Sequence, residues 1–278
     1  RITEYPDIIT ASEIESLLLD DSGNMQGICR HIQYFDKTDS TNNQAKLAAE
    51  KNAPDGTLFV AECQTGGRGR RGKTWESPAG SGIWMSLLLR PDISPESASM
   101  LTLVLAVAMV DAINEEVQDA KCYVKWPNDI VLNNRKISGT LTEMSAEMDS
   151  IHYVVIGIGI NVNTTDFDES IKDMATSIYL GTGKKVKRSN IIAAFSHSFK
   201  KYYEAFLKTQ DLTYIVDRYN ELLINKGRTV KAIYANKELV GEALGINKDG
   251  ELIIKTEDGC ETAIRAGEVS VRGLYGYV

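Results

Sequence analysis

Cysteine and histidine are scarce in this chain. Its 278 residues hold four cysteines and three histidines. Cys29, Cys63, Cys122 and Cys260 are far apart, and His31, His152 and His197 are equally scattered. That spacing excludes the usual metal-ligand pairs and a disulfide framework. The cysteines are expected to be buried, reduced thiols of a cytoplasmic protein. No signal peptide and no apolar run of spanning length stands out, so no membrane segment is expected. Excess positive charge is also missing. The formal net charge is -7, which argues against a broad nucleic-acid surface. Internal repeats and low-complexity tracts are absent.

One stretch runs against that acidic background. Positions 66 to 73 read Gly-Gly-Arg-Gly-Arg-Arg-Gly-Lys, and Trp75 closes the run. Glycine lets backbone N–H groups approach an anion without a Cβ in the way. Arginine adds fixed charge and forked donors that match phosphate and carboxylate oxygens. A local basic loop on an acidic protein suits a small anionic ligand. A solvated basic turn is the bland alternative, and the adjacent indole weighs against it. Such a loop is costly to order and is expected to order around its ligand.

Around this loop the pattern alternates strands and helices. Residues 1–10 read as extended. Thr10 and Glu13 form a capping box that opens a short helix to residue 19. This opening, 1–25, reads as a linker and helix from an upstream module, or as an ordinary N-terminal arm. A strand is expected over 31–35, and Ser40 caps a helix over 41–52. Ser40, Thr41 and Asn42 could also turn hydroxyl and amide groups to a polar ligand, although the cap alone explains the run. Strands follow over 57–62 and 83–89. Ser94-Pro95-Glu96 reads as the start of a long apolar helix to residue 117. Strands at 123–125, 130–132, 136–143 and 153–160 come next, with Asn133-Asn134 as a hairpin turn. Gly157 and Gly159 within the last of these imply close approach of a neighbour or ligand. Helices cover 189–208 and 212–224. From 226 the texture becomes short strands divided by turns at 236–237, 248–250 and 258–259, a small β barrel. The division is therefore 1–25, 26–225 and 226–278.

Two motifs mislead. Gly67 to Thr74 matches the phosphate-loop pattern G-x-x-x-x-G-K-[ST]. That reading needs a helix immediately afterwards, and residues 75–82, with Pro78, Gly80 and Gly82, cannot propagate one. Gly157-Ile158-Gly159 lacks the third glycine of a dinucleotide fingerprint, since position 162 is valine.

Four segments together carry a resemblance: residues 67–72 with Trp75, Lys125-Trp126-Pro127-Asn128-Asp129, Arg135-Lys136-Ile137-Ser138-Gly139, and the run 157–163 from Gly157 to Asn163. In order and spacing they resemble biotin protein ligases, over about residues 30 to 275. The resemblance implies an α+β fold: a mixed-sheet catalytic domain of the class II aminoacyl-tRNA synthetase/biotin ligase type, plus a C-terminal SH3-like barrel. It implies activation of biotin by ATP and Mg²⁺ to biotinyl-5′-AMP, with release of pyrophosphate. Transfer to a lysine of a biotin carboxyl carrier protein follows.

By position, Ser40, Thr41, Gln64, Arg68, Gly139, Gly157 and Gly159 would hold biotin. Arg70, Lys73, Trp75, Asn128, Lys136, Asn161 and Arg272 would hold the nucleotide or the adenylate. Lys136 and Arg70 would carry the chemistry, and Asp129 would hold the metal or orient Lys125. Lys73 stands where many members have arginine, which loses the bidentate fork. Ser138 and Thr140 flank Gly139 where small or aliphatic residues are usual. The resemblance also implies a homodimer through the catalytic sheet. Without a helix-turn-helix, the chain is expected not to bind DNA. A biotin-responsive repressor or a lipoate-type ligase is the alternative reading. The residues suit acyl activation independently. An ionised carboxylate needs no general base to attack phosphorus, only positioning and charge neutralisation.

Overall fold

The computed structural model describes residues 7, 9–234, 237–266, 270–273 and 277–278. Most of the extended opening expected at 1–10 lies outside them, as does residue 236 of the first expected barrel turn. α1 (Ala11–Leu18) starts at Thr10, whose hydroxyl accepts from the Glu13 backbone N–H at 3.2 Å. Half of the expected capping box is thus present; the Glu13 carboxylate instead accepts from Ser189 Oγ. Ile14 and Leu18 are fully buried in the main core.

Seven strands form the main sheet: β1 (His31–Phe35), β2 (Thr57–Ala61), β3 (Gly82–Leu89), β4 (Cys122–Lys125), β5 (Asp129–Leu132), β6 (Arg135–Ala146) and β7 (Ile151–Asn161). Their spatial order is β1-β2-β3-β7-β6-β5-β4. β1 and β2 are parallel, and the other pairs are antiparallel. The β5–β6 hairpin turns on Asn133 and Asn134, both at positive φ (51° and 61°), which asparagine tolerates better than most residues.

α2 (Thr41–Glu50) lies on one face of the sheet against Phe59, Leu88 and Val155. The other face packs on α3 (Leu101–Glu116) and α5 (Arg188–Thr209), with α4 (Ile178–Thr182) and α6 (Val216–Leu222) at the margins. α3 begins later than Ser94-Pro95 suggests, because a 3₁₀ turn over Ser97–Met100 precedes it. The stretch Ser97–Glu116 corrects the expectation of no long apolar run. It has 20 residues, and an 18-residue window within it has mean hydropathy 1.7 and is 78% buried within the protein. An all-round apolar helix of this kind belongs in a core. The short α4 was not foreseen, and α6 begins four residues after the expected position 212.

The C-terminal sheet contains β8 (Thr229–Tyr234), β9 (Lys237–Ile246), β10 (Leu252–Lys255), β11 (Glu261–Ile264) and β12 (Ser270–Gly273). It is antiparallel, in the order β11-β10-β9-β8-β12, in keeping with the small barrel read from the turn spacing and the SH3-like domain that the resemblance implies. Trp126 binds it to the main sheet: its indole N–H donates to the Gly250 carbonyl at 3.1 Å, fully buried. The cysteines need a correction. Cys29 and Cys122 are buried, but Cys63 is half-buried and Cys260 is exposed.

Candidate active site

A cavity of about 990 Å³ opens above the middle of the main sheet, and every site residue named from the sequence lines it. Its floor is backbone. Gly139 on β6 and Gly159 on β7 are register partners, and Gly157 lies two residues along the same face. A Cβ on Gly159 would sit 2.5 Å from Trp75 Nε1, and one on Gly157 would sit 2.1 Å from Asn42 Oδ1. The close approach that these glycines imply is therefore to neighbouring side chains. Trp75 lies on the floor with its ring centre 5.3 Å from Lys136 Nζ.

The roof is the glycine-arginine stretch, folded as a narrow strap. Gln64 N–H donates to Ser77 O, Trp75 N–H to Gly67 O, and Gly69 N–H to Lys73 O. At the tip Arg71 and Gly72 both take positive φ (59° and 72°). No helix follows Thr74, so the phosphate-loop reading fails as expected. Arg68 reaches outward. Its guanidinium donates to Asn43 Oδ1 at 2.8 Å and to Glu143 Oε2 at 3.2 Å. Glu143 also receives Lys46 Nζ and Asn42 Nδ2, both at 2.8 Å. Burial by itself raises the Glu143 carboxyl, but Lys46, Asn42 and Arg68 hold it below its ordinary value.

At one end of the cavity sits a compact polar cluster. Ser40 occupies the N-cap position of α2 yet makes no side-chain capping bond, so its hydroxyl is not committed to the cap expected of it. Gln64 Oε1 accepts from Thr41 N–H at 2.8 Å and from Thr41 Oγ1 at 3.1 Å. Gln64 Nε2 donates to Ser77 Oγ at 2.8 Å. Ser86 Oγ lies 2.7 Å from Thr41 Oγ1 and 2.6 Å from Asn42 Oδ1. Both ends of this chain, Gln64 Oε1 and Asn42 Oδ1, are acceptors. Two hydroxyl protons therefore serve three short contacts.

The opposite end is cationic. Lys136 Nζ pairs with Asp129 Oδ1 at 2.6 Å, without the directionality of a hydrogen bond at that oxygen. Arg70 donates to Asn128 Oδ1 at 2.8 Å, and Asn128 Nδ2 donates to Thr140 O at 3.0 Å. Burial draws the Arg70 guanidinium below its usual value, opposed by Asp129. Lys125 is buried, and burial first, then Lys136, Arg272 and Lys73, lowers it to about 8 against the opposing charge of Asp129. Asn161 Nδ2 donates to Thr176 O at 3.2 Å. Lys73 and Arg272 line the same end with exposed side chains. Among the described residues, no three histidine, cysteine, aspartate or glutamate side chains gather as a metal centre.

Sequence reasoning missed Ser86, Glu143 and Tyr277, and weighed the Asn42 amide as ligand-facing only as the lesser alternative to a plain helix cap. Nothing local in the sequence marks Ser86 or Glu143: each looks like an ordinary strand position until the sheet register brings α2 above it.

The Biotin/lipoate A/B protein ligase family matches residues 34–161, and the Biotin protein ligase C terminal domain matches residues 227–272. The chain is similar to the bifunctional ligase/repressor BirA of Bacillus subtilis, 40% identical over 261 residues, covering 93% of this chain and 78% of that protein. It is 31% identical to the biotin–[acetyl-CoA-carboxylase] ligase of Paracoccus denitrificans over 241 residues, covering 85% of this chain and 99% of that one. Among solved structures, the Aquifex aeolicus biotin protein ligase in complex with biotin and ATP superposes with a TM-score of 0.77 at 30% identity, covering 88% of this chain and 99% of that one.

Proposed function

Because the chain belongs to the biotin protein ligase family, we propose that it joins biotin to a carboxylase carrier protein in two steps, the first of which consumes ATP. The observation that carries this reading is one cavity with an uncharged polar cluster at one end, lysine and arginine at the other, and a strap above both. A cyclic urea offers N–H donors and a carbonyl acceptor. Thr41, Gln64 and Ser40 line the cavity and offer hydroxyl and amide groups of that kind, with Ser86 behind Thr41. The valeryl chain would run past Asn42 and Trp75, the side chains that cover Gly157, Gly159 and Gly139, with the Arg68 backbone above it. Its carboxylate would then reach Lys136.

In the first step a carboxylate oxygen attacks the α-phosphorus of ATP, and the bond from phosphorus to pyrophosphate breaks. Lys136 and Arg70 offset charge on the carboxylate and phosphoryl oxygens, and Lys73, Asn128, Asn161, Trp75 and Arg272 hold the nucleotide. In the second step the carrier lysine amine attacks the acyl carbon and AMP leaves. The strap keeps water from the mixed anhydride meanwhile. Mg²⁺ keeps several waters and binds through phosphates and few carboxylates. The two Asp129 oxygens face Lys136 and Tyr277, so Mg²⁺ would arrive on the triphosphate, with Asp129 the carboxylate nearest the lysines at that end.

Three further features belong to this proposal: the division at about residue 225, a homodimer through the catalytic sheet, and a cytoplasmic setting. The repressor reading draws on the name of the Bacillus subtilis relative, and operator titration tests it. Biotin-dependent exchange of pyrophosphate into ATP tests the ligase reading, with lipoate as the competing acid. Exchange with biotin alone is the expected result. Exchange with lipoate alone, or with neither acid, overturns the proposal.

A further inference from the structure

Tyr277 lies beyond both matched family segments, which end at 161 and 272. It nevertheless lines the catalytic cavity. Its hydroxyl donates to Asp129 Oδ2. Its ring lies under Lys125, with Nζ 3.4 Å from the ring centre. Burial, with Asp129 beside it, raises the phenol well above its ordinary range, so it stays a donor.

Asp129 is contested. Three cations interact with this one carboxylate: Lys136 at 2.6 Å, and Lys125 and Arg70 through their charge. A lysine ammonium is a point charge on a flexible stem and does not select its own partner geometry. Something else must decide which cation the carboxylate faces. The ring of Tyr277 gives Lys125 a partner other than Asp129. The hydroxyl of Tyr277 fixes Oδ2 and so turns Oδ1 toward Lys136. Arg70 is held by Asn128.

We infer that Tyr277 is a positioning residue: it assigns Asp129 to Lys136 and thereby fixes the Lys136 ammonium for the adenylation step. This rests on the ligase reading above. Tyr277 reaches the reacting groups only through Asp129. It acts from the C-terminal end of the chain, so the second domain contributes to the geometry of the first.

The test is steady-state pyrophosphate exchange with the full chain and Tyr277→Phe, which keeps the ring and removes the hydroxyl. We expect kcat to fall about tenfold, as for loss of a hydrogen bond to a charged group. KM for biotin and ATP should stay within about twofold, because ground-state binding is untouched. In an Asp129→Asn background the same substitution should change kcat by less than about twofold, because coupled residues are not additive. An unchanged kcat overturns the inference. So does a changed KM for ATP at constant kcat, which would make Tyr277 a nucleotide contact. A tenfold loss in both backgrounds overturns the route through Asp129. If the wild-type chain does not exchange, the ligase reading falls and the inference with it. If the wild type exchanges and Tyr277→Phe matches it, the inference falls alone.

Discussion

Lys136 reaches the cavity from the start of β6, where Asp129 holds it at 2.6 Å. Its proposed task is charge stabilisation at the reacting oxygens. Lys136→Ala should then lower adenylate formation by about 10²–10³-fold, the range for loss of one such donor. Biotin affinity, measured by calorimetry, should hardly move. A collapse of affinity with unchanged turnover would reverse that role. Arg70 stands for retention. Arg70→Gly should let the adenylate escape, and mass spectrometry should then find biotin on lysines of bystander proteins. Lys125 gives a pH signature. Its value is 10.5 when unperturbed and about 8 in the fold. Between these the unfolded chain binds more protons, so rising pH favours the folded state. Below about 8 the cost of burying its charge is fully present. The stability gap in urea between wild type and Lys125→Met should therefore narrow from pH 8 to 10.5. A constant gap would place the lowered value elsewhere. Charged residues in the glycine-rich run and the KWPND segment were legible because composition and spacing mark them. Ser86 was not, and Asn42 only as an alternative to a plain cap, because their part in the cluster arises from a shared pair of protons. That sharing exists only once α2 lies over β3.

The strap is an element held at two places. Its base is tied through Gln64, Thr41 and Ser77, and its outer limb through Arg68 to Glu143 and Asn43. Glu143→Gln keeps the shape and removes the charge that Arg68 and Lys46 share. Trypsin should then cut at Arg70 or Arg71 faster, and biotin with ATP should restore protection. Equal cutting rates in both proteins would show that the latch does not restrain the strap. Most strands were legible to within a few residues from alternation and turn residues. β1 matches its expected range, and β3 differs by one residue. The start of α3 was not, because Ser94 and Pro95 signal a helix generically while packing begins only at Ser97. α4 is five residues long, too short for periodicity to reveal.

At the scale of the molecule, a buried arginine joins distant segments. Arg188 is fully buried and pairs with Asp7 Oδ2 at 2.8 Å and Glu62 Oε1 at 3.0 Å, and it also donates to Gly82 O at 3.0 Å. Removing one partner of such a network leaves the others desolvated. Arg188→Met should cost about 3–5 kcal/mol, measured by urea unfolding, and adding Glu62→Gln should recover part of it. No sequence pattern announced this node, since Asp7 and Arg188 stand 181 residues apart. The glycine floor has a consequence of another kind. A surface made of peptide backbone offers no side chains to vary. Gly157 and Gly159 have no spare volume for even a methyl group, because Asn42 and Trp75 already fill it. Selection for a different acid, in nature or in a library, must therefore work from above, on the strap and on α2. The floor is the part of the site that evolution can keep or lose but cannot tune.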